Sequence, residues 1–213
     1  MPYFKNDKIN VLLIHIPKTG GTSLEFYFSK TYNIALNPTS LNDFHDEETK
    51  KKHRLNIDSS LQHMTYQTIM NYKTFFNIDM NNLDIISIVR NPYDRIISDL
   101  FWHGSININS SKEMVYEKIK SYLHLKLDNH NIPQYLFVTD ENKELIPTIK
   151  ILRTETLQTD MINLGYTNFN NRDNCQKNKV NYYDYLNNNS IKLINHFYDY
   201  DFKLFNYEKK ETL

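Results

Sequence analysis

The sequence predicts an α/β fold of three layers, in which a central, mostly parallel sheet is flanked by helices. Short aliphatic runs recur along the chain, as expected of parallel strands that are covered on both faces. Segments with apolar residues at helical spacing follow these runs, and a glycine-rich turn joins the first run to the first such segment. At 213 residues, the chain is expected to form a single domain over residues 1–213.

The first strand and helix are expected on either side of the glycine turn. Residues 11–16 form a nearly continuous aliphatic run, which predicts a buried strand. Residues 24–32 carry apolar side chains at helical spacing, and Thr22 or Ser23 is the expected N-cap of this helix. The order of strand, glycine turn and helix is the one that a phosphate-binding loop requires.

A second strand-to-helix connection is expected near the middle of the chain. Residues 83–89 form another candidate for a buried strand, which ends at Arg90. Asn91 then supplies a helix N-cap and Pro92 the first helical residue, so a helix is expected from there to Trp102.

The remaining elements are predicted by weaker patterns of the same kinds. They are an exposed loop or solvated helix within residues 37–60, a helix over residues 112–127, a strand over residues 148–152, a short helix from Thr156 that Gly165 terminates, and a last helix over about residues 190–205. The sequence shows no repeat of fixed period, so the alternation of strands and helices describes one layered unit.

Composition argues against several classes of protein. The 25 basic residues balance the 25 acidic ones, so no bulk attraction to nucleic acid or to an anionic membrane is expected. The single cysteine, Cys175, excludes an internal disulfide, which fits a reducing compartment. The apolar run at residues 9–16 is too short for a membrane span and lacks the pattern of a signal peptide, so a soluble, cytoplasmic protein is expected.

The glycine turn carries the clearest signal for chemistry. Its two glycines let the backbone direct successive N–H groups at one anion, and the positive end of the following helix adds to their effect. Because the lysine precedes the glycines, the loop is P-loop-like but differs from the Walker A pattern, which disfavours hydrolysis of ATP or GTP. The candidate binding residues are Lys18, Thr19, Gly20, Gly21, Thr22 and Ser23.

A second anion site is expected where the central strand ends. Arg90 offers a planar fork of donors that suits a phosphate, and Ser98, about two turns into the next helix, offers a hydroxyl to the same anion. Both side chains can face the crevice beyond the strand ends, where α/β sheets bind their ligands. Arg95 lies between them, but it can equally pair with Asp99 one helical turn further on.

The sequence resembles the carbohydrate-type branch (family 2) of the sulfotransferase superfamily in two uninterrupted motifs. These motifs are the loop Pro17-Lys18-Thr19-Gly20-Gly21-Thr22-Ser23 and the segment Arg90-Asn91-Pro92-Tyr93-Asp94-Arg95-Ile96-Ile97-Ser98. The resemblance extends less specifically through residues 140–141, 151–157 and 200–207, and so covers most of the chain. Asn206 stands where relatives often carry glycine, and asparagine tolerates the left-handed conformation that such a turn needs.

The resemblance implies the sulfate donor 3′-phosphoadenosine 5′-phosphosulfate (PAPS), with PAP as its product and no metal requirement. It implies that Lys18 to Ser23 hold the 5′-phosphosulfate end, that Arg90 and Ser98 bind the 3′-phosphate, and that the acceptor is a hydroxyl, preferably of a saccharide or glycan. Lys18 is the candidate for stabilising the leaving phosphate. His63 is the expected general base, because imidazole titrates near neutral pH and because relatives carry a catalytic histidine in a similar His-x-Thr context.

Two other functions remain open from the sequence: a P-loop small-molecule kinase, and a catalytically silent module that binds a nucleotide or glycan. A kinase would need an acidic residue after a later strand to hold magnesium, but Arg90 stands there and has the wrong charge. A silent module would keep the fold and bind without turnover.

Several single residues receive weaker interpretations. The histidines other than His63 show no defensible metal-ligand spacing. Trp102 is expected in the core, because an aromatic residue at helical spacing is more often buried. Glu155 is expected to fix a strand-to-helix connection, and Asn178 and Lys179 are weak candidates for a loop that closes over the nucleotide.

Overall fold

A four-stranded mixed sheet lies at the centre of the computed structural model, which describes residues 2–36, 46–170 and 180–212. The strands lie side by side in chain order as β1 (Tyr3–Lys5), β2 (Asn10–Ile14), β3 (Asp84–Val89) and β4 (Ile149–Arg153). β1 pairs antiparallel with β2, whereas β2, β3 and β4 are parallel. The carboxyl ends of these three parallel strands therefore meet at one edge of the sheet.

Nine helices lie in the described part of the chain. They are α1 (Gly21–Tyr32), α2 (Asp46–His53), α3 (Tyr66–Asn71), α4 (Pro92–Trp102), α5 (Lys112–Tyr122), α6 (Tyr135–Val138), α7 (Leu157–Asn163), α8 (Asn188–Phe197) and α9 (Asp199–Leu204). Short 3-10 turns cover Thr154–Thr156 and Tyr182–Tyr185. Among the described residues, no helix combines the length and the apolar character that a membrane span requires.

Helices cover both faces of the sheet. Side chains alternate along β2, so that Leu12 and Ile14 lie on one face while Val11 and Leu13 lie on the other. The first face packs against α3 and α6, and the second packs against α1 and α7. The expected three-layer α/β architecture with a mostly parallel sheet is confirmed.

A third hydrophobic cluster surrounds α4. Ile97 of α4, Ile119 of α5 and Ile194 of α8 are all buried in it. One side of α4 is therefore held firmly by helix packing. The rest of its surface carries the polar residues of the candidate site.

Most expected elements are confirmed with small shifts of their boundaries. Asn91 caps α4, because its side-chain oxygen accepts the N–H of Tyr93 at 3.0 Å, and Pro92 is the first helical residue. Gly165 follows α7 with a φ of 93°, and Asn206 takes up the left-handed conformation with a φ of 52°. These local features are set by turn and cap chemistry, which the sequence shows directly.

One strand was not expected, and one helix ends earlier than expected. β1 is an additional strand, whose three residues are too few to show a periodic pattern. The buried Phe4 anchors it, with its ring centroid 5.3 Å from that of Phe28. α5 ends at Tyr122 rather than near residue 127, and the chain then passes through Asp128 and Asn129 in left-handed conformations.

The last helix, expected over about residues 190–205, is in fact two helices, α8 and α9, that meet at Tyr198. Tyr198 leaves the helical conformation with φ −102° and ψ 25°, and its hydroxyl donates to the Asn131 carbonyl at 2.8 Å. The break lets α8 pack in the cluster around α4 while Asp201 of α9 reaches the start of α6. Tertiary contacts thus override a continuous helical pattern.

Asp201 joins the C-terminal helix to the end of β3. Its buried carboxylate accepts the N–H groups of Gln134 and Tyr135, both at 2.8 Å. The Gln134 side chain in turn pairs with the N–H and the carbonyl of Arg90, each at 2.9 Å. Burial raises the pKa of Asp201 to about 6. The C-terminal helix therefore supports the strand end at which Arg90 lies.

We expect Asp201→Ala to lower the free energy of unfolding by about 2–4 kcal/mol, because it leaves buried N–H donors without an acceptor. The measurement is urea unfolding followed by circular dichroism. The control Asp184→Ala removes an exposed carboxylate and is expected to leave the midpoint nearly unchanged. An equal loss in both variants would contradict the supporting role of Asp201.

Candidate active site

The loop between β2 and α1 turns through two residues in the left-handed conformation. These are Lys18, with a φ of 67°, and Gly20, with a φ of 100°. Thr19 lies between them, fully buried, and its hydroxyl donates to the Ile16 carbonyl at 2.8 Å. The Thr19 carbonyl accepts from the Thr154 hydroxyl at 2.5 Å. Thr19 therefore fixes the shape of the loop, and its hydroxyl is already engaged within the protein.

The N-terminus of α1 is open to an anion. Gly20 is the N-cap and no described side chain caps the helix, so the expected capping by Thr22 or Ser23 is wrong. The first turn also contains no acidic residue, so the positive end of the helix is unopposed there. Gly21 serves a different purpose from Gly20, because a Cβ at this position would lie 2.9 Å from three atoms of the His15 ring.

Two cations meet at this loop. Lys18 Nζ lies 5.1 Å from the centroid of the Trp102 ring, within cation–π range. Arg90 donates from Nη1 to the Lys18 carbonyl at 3.0 Å and lies 5.4 Å from the centroid of the Tyr182 ring. Burial lowers the pKa of Lys18, Asp99 partly opposes this shift, and Arg90 adds to it. A bound anion would relieve the repulsion between the two cations.

Ser98 lies on α4 between the residues that face these two cations. Asp94, one turn before it, interacts electrostatically with Arg90, and Trp102, one turn after it, contacts Lys18. Ser98 is only 8% exposed, and its hydroxyl has no hydrogen-bond partner within residues 2–36, 46–170 and 180–212. Since a buried hydroxyl without a partner is unfavourable, a ligand that accepts its hydrogen bond would fit here.

Arg95 connects the loop to the segment that precedes α6. Its side chain is buried and donates to three backbone carbonyls: Pro17 at 3.1 Å, Ile132 at 2.9 Å and His130 at 2.6 Å. These bonds take the place of the pairing with Asp99 that the helical spacing allows. Arg95 therefore builds the site rather than facing a ligand.

His63 lies in the turn that precedes α3 and is only 6% exposed. Its Nδ1 atom lies 2.7 Å from an oxygen of Asp128. Burial lowers the pKa of His63 from 6.5 to about 4, although the hydrogen bond to Asp128 opposes this shift. The imidazole is therefore neutral at pH 7, which is the form that accepts a proton.

His63 belongs to a row of four histidine rings. The centroids are 5.3 Å apart between His15 and His63, 4.9 Å between His63 and His130, and 5.2 Å between His130 and His103. Trp102 stacks on His130 with centroids 5.3 Å apart and planes inclined by 21°. Because the same indole contacts the loop lysine, the row links the expected base with the loop.

Carboxylates hold three of these rings at the Nδ1 atom. The pairs are His15 with Glu25, His63 with Asp128, and His130 with Asp99. No local pattern marks the last two pairs, because their members are 65 and 31 positions apart in the chain. Asp128, Asp99 and His130 are therefore site residues that the sequence interpretation missed.

Two groups of side chains among the described residues could hold a metal ion, although the sequence shows no such ligand spacing. They are His63, Asp128 and His130, and Asp99, His103 and His130, with ligand atoms within 4.8 Å of one another. One carboxylate in each group already pairs with an imidazole Nδ1. A metal would have to replace these hydrogen bonds, whereas acid–base chemistry can use them as they stand.

Three weaker expectations have different outcomes. Trp102 is 56% exposed, so its expected place in the core is wrong. Glu155 was expected to fix the connection in which it lies, between β4 and α7, but its carboxylate instead accepts the N–H of Asn91, between β3 and α4, at 2.8 Å and the hydroxyl of Tyr207 at 2.9 Å. The candidate loop at residues 178–179 lies outside the described residues.

The family model of the sulfotransferase family matches residues 1–208 of the chain. This match includes the glycine loop, His63 and the segment from Arg90 to Ser98. No curated protein matches the chain, and no solved structure does. Because the family model covers nearly the whole sequence, the chain belongs to the sulfotransferase family.

Proposed function

We propose that the chain transfers a sulfuryl group from PAPS to a hydroxyl of a saccharide, with His63 as general base and Lys18 stabilising the leaving phosphate. PAPS is the sulfate donor that this family generally uses. The observation that carries the proposal is the meeting of Lys18 and Arg90 at the uncapped N-terminus of α1. Two neighbouring cations and a helix N-terminus that no described side chain caps are complementary to an anionic donor.

We expect the two anionic ends of PAPS to bind at two places on the described residues. Lys18, the backbone N–H groups of the loop and the hydroxyls of Thr22 and Ser23 would hold the 5′-phosphosulfate. Arg90 and Ser98 would hold the 3′-phosphate, for which the Ser98 hydroxyl, without a hydrogen-bond partner in the described part of the chain, is a donor. PAPS supplies the sulfuryl group when bound, and PAP is what remains.

The chain's own residues supply the charge and the proton acceptor that the transfer needs. The Trp102 ring keeps the Lys18 ammonium beside the loop, where negative charge develops on the leaving phosphate. His63 is neutral and buried, so it can take the proton of the acceptor hydroxyl. Burial of both groups strengthens their electrostatic effect on the reacting atoms.

The exposed indole of Trp102 supports a saccharide as the acceptor. Its ring lies beside Lys18 and stacks on His130, which in turn contacts His63. The apolar face of a sugar ring packs well on an indole, and hydroxyls around the sugar would then lie close to the base. A hydroxyl-bearing acceptor is what membership of the family implies.

The strand ends do not suit the magnesium site of a kinase. Arg90 follows β3, and Glu155, the acid that follows β4, is engaged with Asn91 and Tyr207. A magnesium ion at the phosphates of ATP needs an acid that is free to coordinate it or its waters. The donor is therefore expected to bind without a metal.

We expect PAP to stabilise the protein more than AMP or magnesium-ATP in a thermal-shift assay, because only PAP carries a 3′-phosphate for Arg90 and Ser98. By isothermal titration calorimetry, Arg90→Ala is expected to weaken PAP binding about 10–100-fold and Ser98→Ala several-fold. Arg54→Ala, which removes an exposed arginine, serves as the control and should bind PAP normally. Stronger stabilisation by magnesium-ATP would contradict the proposed donor.

We expect His63→Ala to reduce kcat about 10²–10⁴-fold while the affinity for PAP stays within about threefold. The assay follows radiolabelled sulfate from PAPS into the acceptor. In the wild-type protein kcat/KM should stay nearly constant from pH 7 to about 5 and fall toward pH 4, because the lowered pKa keeps His63 neutral over that range.

Folding must be checked at each pH in this experiment. The unfolded chain takes up the His63 proton near pH 6.5, so this group makes the folded state less stable as the pH falls from there toward 4. Circular dichroism at each pH separates loss of folding from loss of the base. A decline of kcat/KM already centred near pH 6.5 would show that the base is not the buried His63.

We expect saccharides to be the preferred acceptors in a panel of desulfated polysaccharides, monosaccharides, p-nitrophenol and a tyrosine peptide. Trp102→Ala should raise the KM for the saccharide about tenfold, and Trp102→Phe should retain most of the affinity. Ile162→Ala, which truncates an exposed apolar side chain on α7, is the control. Transfer to the phenol or the peptide alone would overturn the proposed acceptor class.

A further inference from the structure

The segment between α5 and α6 holds the turn that carries His63. Asp128 and Asn129 have left-handed conformations, with φ values of 47° and 62°. Asn129 Nδ2 donates to the His63 carbonyl at 2.9 Å, and one oxygen of Asp128 accepts the N–H of Ser60. The other oxygen of Asp128 lies 2.7 Å from His63 Nδ1. Asp128 therefore contacts both the backbone of the turn and the ring that the turn carries.

The His63 ring is also enclosed on two sides. The ring of His15 packs against it at a centroid distance of 5.3 Å and an angle of 67°, and that of His130 at 4.9 Å and 85°. Beyond these rings lie Glu25, paired with His15, and Asp99, paired with His130. Rotation of the ring would break this packing, so Nδ1 stays on its carboxylate. Within the described ranges, His63 Nε2 has no hydrogen-bond partner.

We propose that Asp128 is the positioning residue of the transfer reaction, holding His63 with a proton on Nδ1 so that Nε2 takes the proton of the acceptor hydroxyl. The inference rests on the function proposed above and identifies the residue on which the base depends. An ionised carboxylate can only accept hydrogen bonds, so its presence at Nδ1 requires that this nitrogen carry the proton.

The charge state of Asp128 agrees with this role. Burial alone would raise its pKa, but the hydrogen bonds from His63 and from the N–H of Ser60 hold the pKa below its ordinary value. Asp128 is therefore ionised at neutral pH. It faces a neutral imidazole before the proton moves and an imidazolium afterwards.

Protons and electrons balance in the transfer without a further group. The O–H bond of the acceptor breaks as an N–H bond forms at Nε2, and the oxygen's electron pair makes the new O–S bond. The S–O bond to the leaving phosphate breaks, and its electron pair departs with PAP. His63 becomes an imidazolium that Asp128 stabilises until the proton passes to water, and Asp128 itself stays ionised.

The imidazolium is the unfavourable state that Asp128 offsets. Burial is the main cause of the low pKa of His63, and the neighbouring His15 and His130 lower it further. The Asp128 carboxylate acts in the opposite direction, through both its hydrogen bond and its charge. Loss of this carboxylate would therefore weaken the base as well as release the ring.

The first test compares Asp128→Asn with His63→Ala. Asparagine suits the left-handed backbone and keeps the size of the side chain, but its amide can donate to Nδ1 and so favour the tautomer with the proton on Nε2. We expect kcat to fall by about 10²–10⁴-fold, with the KM for PAPS and the affinity for PAP within about threefold of wild type. Asp140→Asn replaces a half-buried carboxylate that also accepts backbone N–H groups in a turn, and is the matched control.

The second test restores the carboxylate from solution. Glycine also accepts the left-handed backbone, so Asp128→Gly leaves a space beside Nδ1 without straining the loop. We expect added formate to recover at least about tenfold of the lost kcat in Asp128→Gly and none in His63→Ala. A residue with a purely structural role would show no such recovery.

The third test needs no activity. Long-range proton–nitrogen NMR of histidine-labelled protein with bound PAP should show His63 with its proton on Nδ1 in the wild type and on Nε2 in Asp128→Asn. An Nε2-protonated His63 in the wild-type protein would overturn the proposal.

The outcomes distinguish this inference from the function on which it rests. Wild-type kcat in His63→Ala would overturn the proposed base, whatever Asp128 does. Wild-type kcat in Asp128→Asn, with His63→Ala inactive, would overturn the positioning role and leave the base in place. If no acceptor in the panel is sulfated, NMR alone decides whether Asp128 is the positioning residue. The comparison is then between the tautomer of His63 in the wild-type protein and that in Asp128→Asn.

Discussion

The guanidinium of Arg95 holds the two parts of the active site together. It bonds to the Pro17 carbonyl on the glycine loop, and to the carbonyls of His130 and Ile132 on the segment that carries the histidine partners. A buried cation is tolerated only when its donors are satisfied, and backbone carbonyls achieve this without drawing in a carboxylate. Asp99, one turn away on α4, is therefore left to pair with His130. Arg95 thereby ties the glycine loop to the segment on which His130 lies.

The two parts of the site differ in their electrostatic properties. At the loop, Lys18 and Arg90 lie together with the open end of α1, so this part favours negative charge. At the other part, carboxylates lie at the Nδ1 atoms of His63 and His130, and burial keeps the His63 ring neutral, which is the form that can accept a proton. Trp102 lies between them and contacts both Lys18 and His130. The sulfuryl transfer proposed above expels an anion and releases a proton, and this separation would place the two at different parts of the site.

The parts of the site that could be predicted are those that depend on residues close together in the sequence. The glycine loop, the Asn91 cap and the approximate helix ends follow from turn chemistry and periodicity, which act over a few residues. The pairing of His63 with Asp128 joins residues 65 positions apart, and nothing in the local pattern of either residue marks it. The break at Tyr198 is hidden for the same reason, because the hydrogen bond that Tyr198 makes there joins it to Asn131, 67 positions away.

Lys18 places a long cationic side chain at a backbone position that such residues rarely occupy, with a φ of 67°. The left-handed conformation costs on the order of 1 kcal/mol for a residue that is not glycine. Glycine, asparagine or aspartate would relieve the strain but would remove the positive charge. Arginine would keep both the positive charge and the strain. Few single substitutions at this position can therefore be neutral. Position 18 is therefore expected to change slowly in sequence.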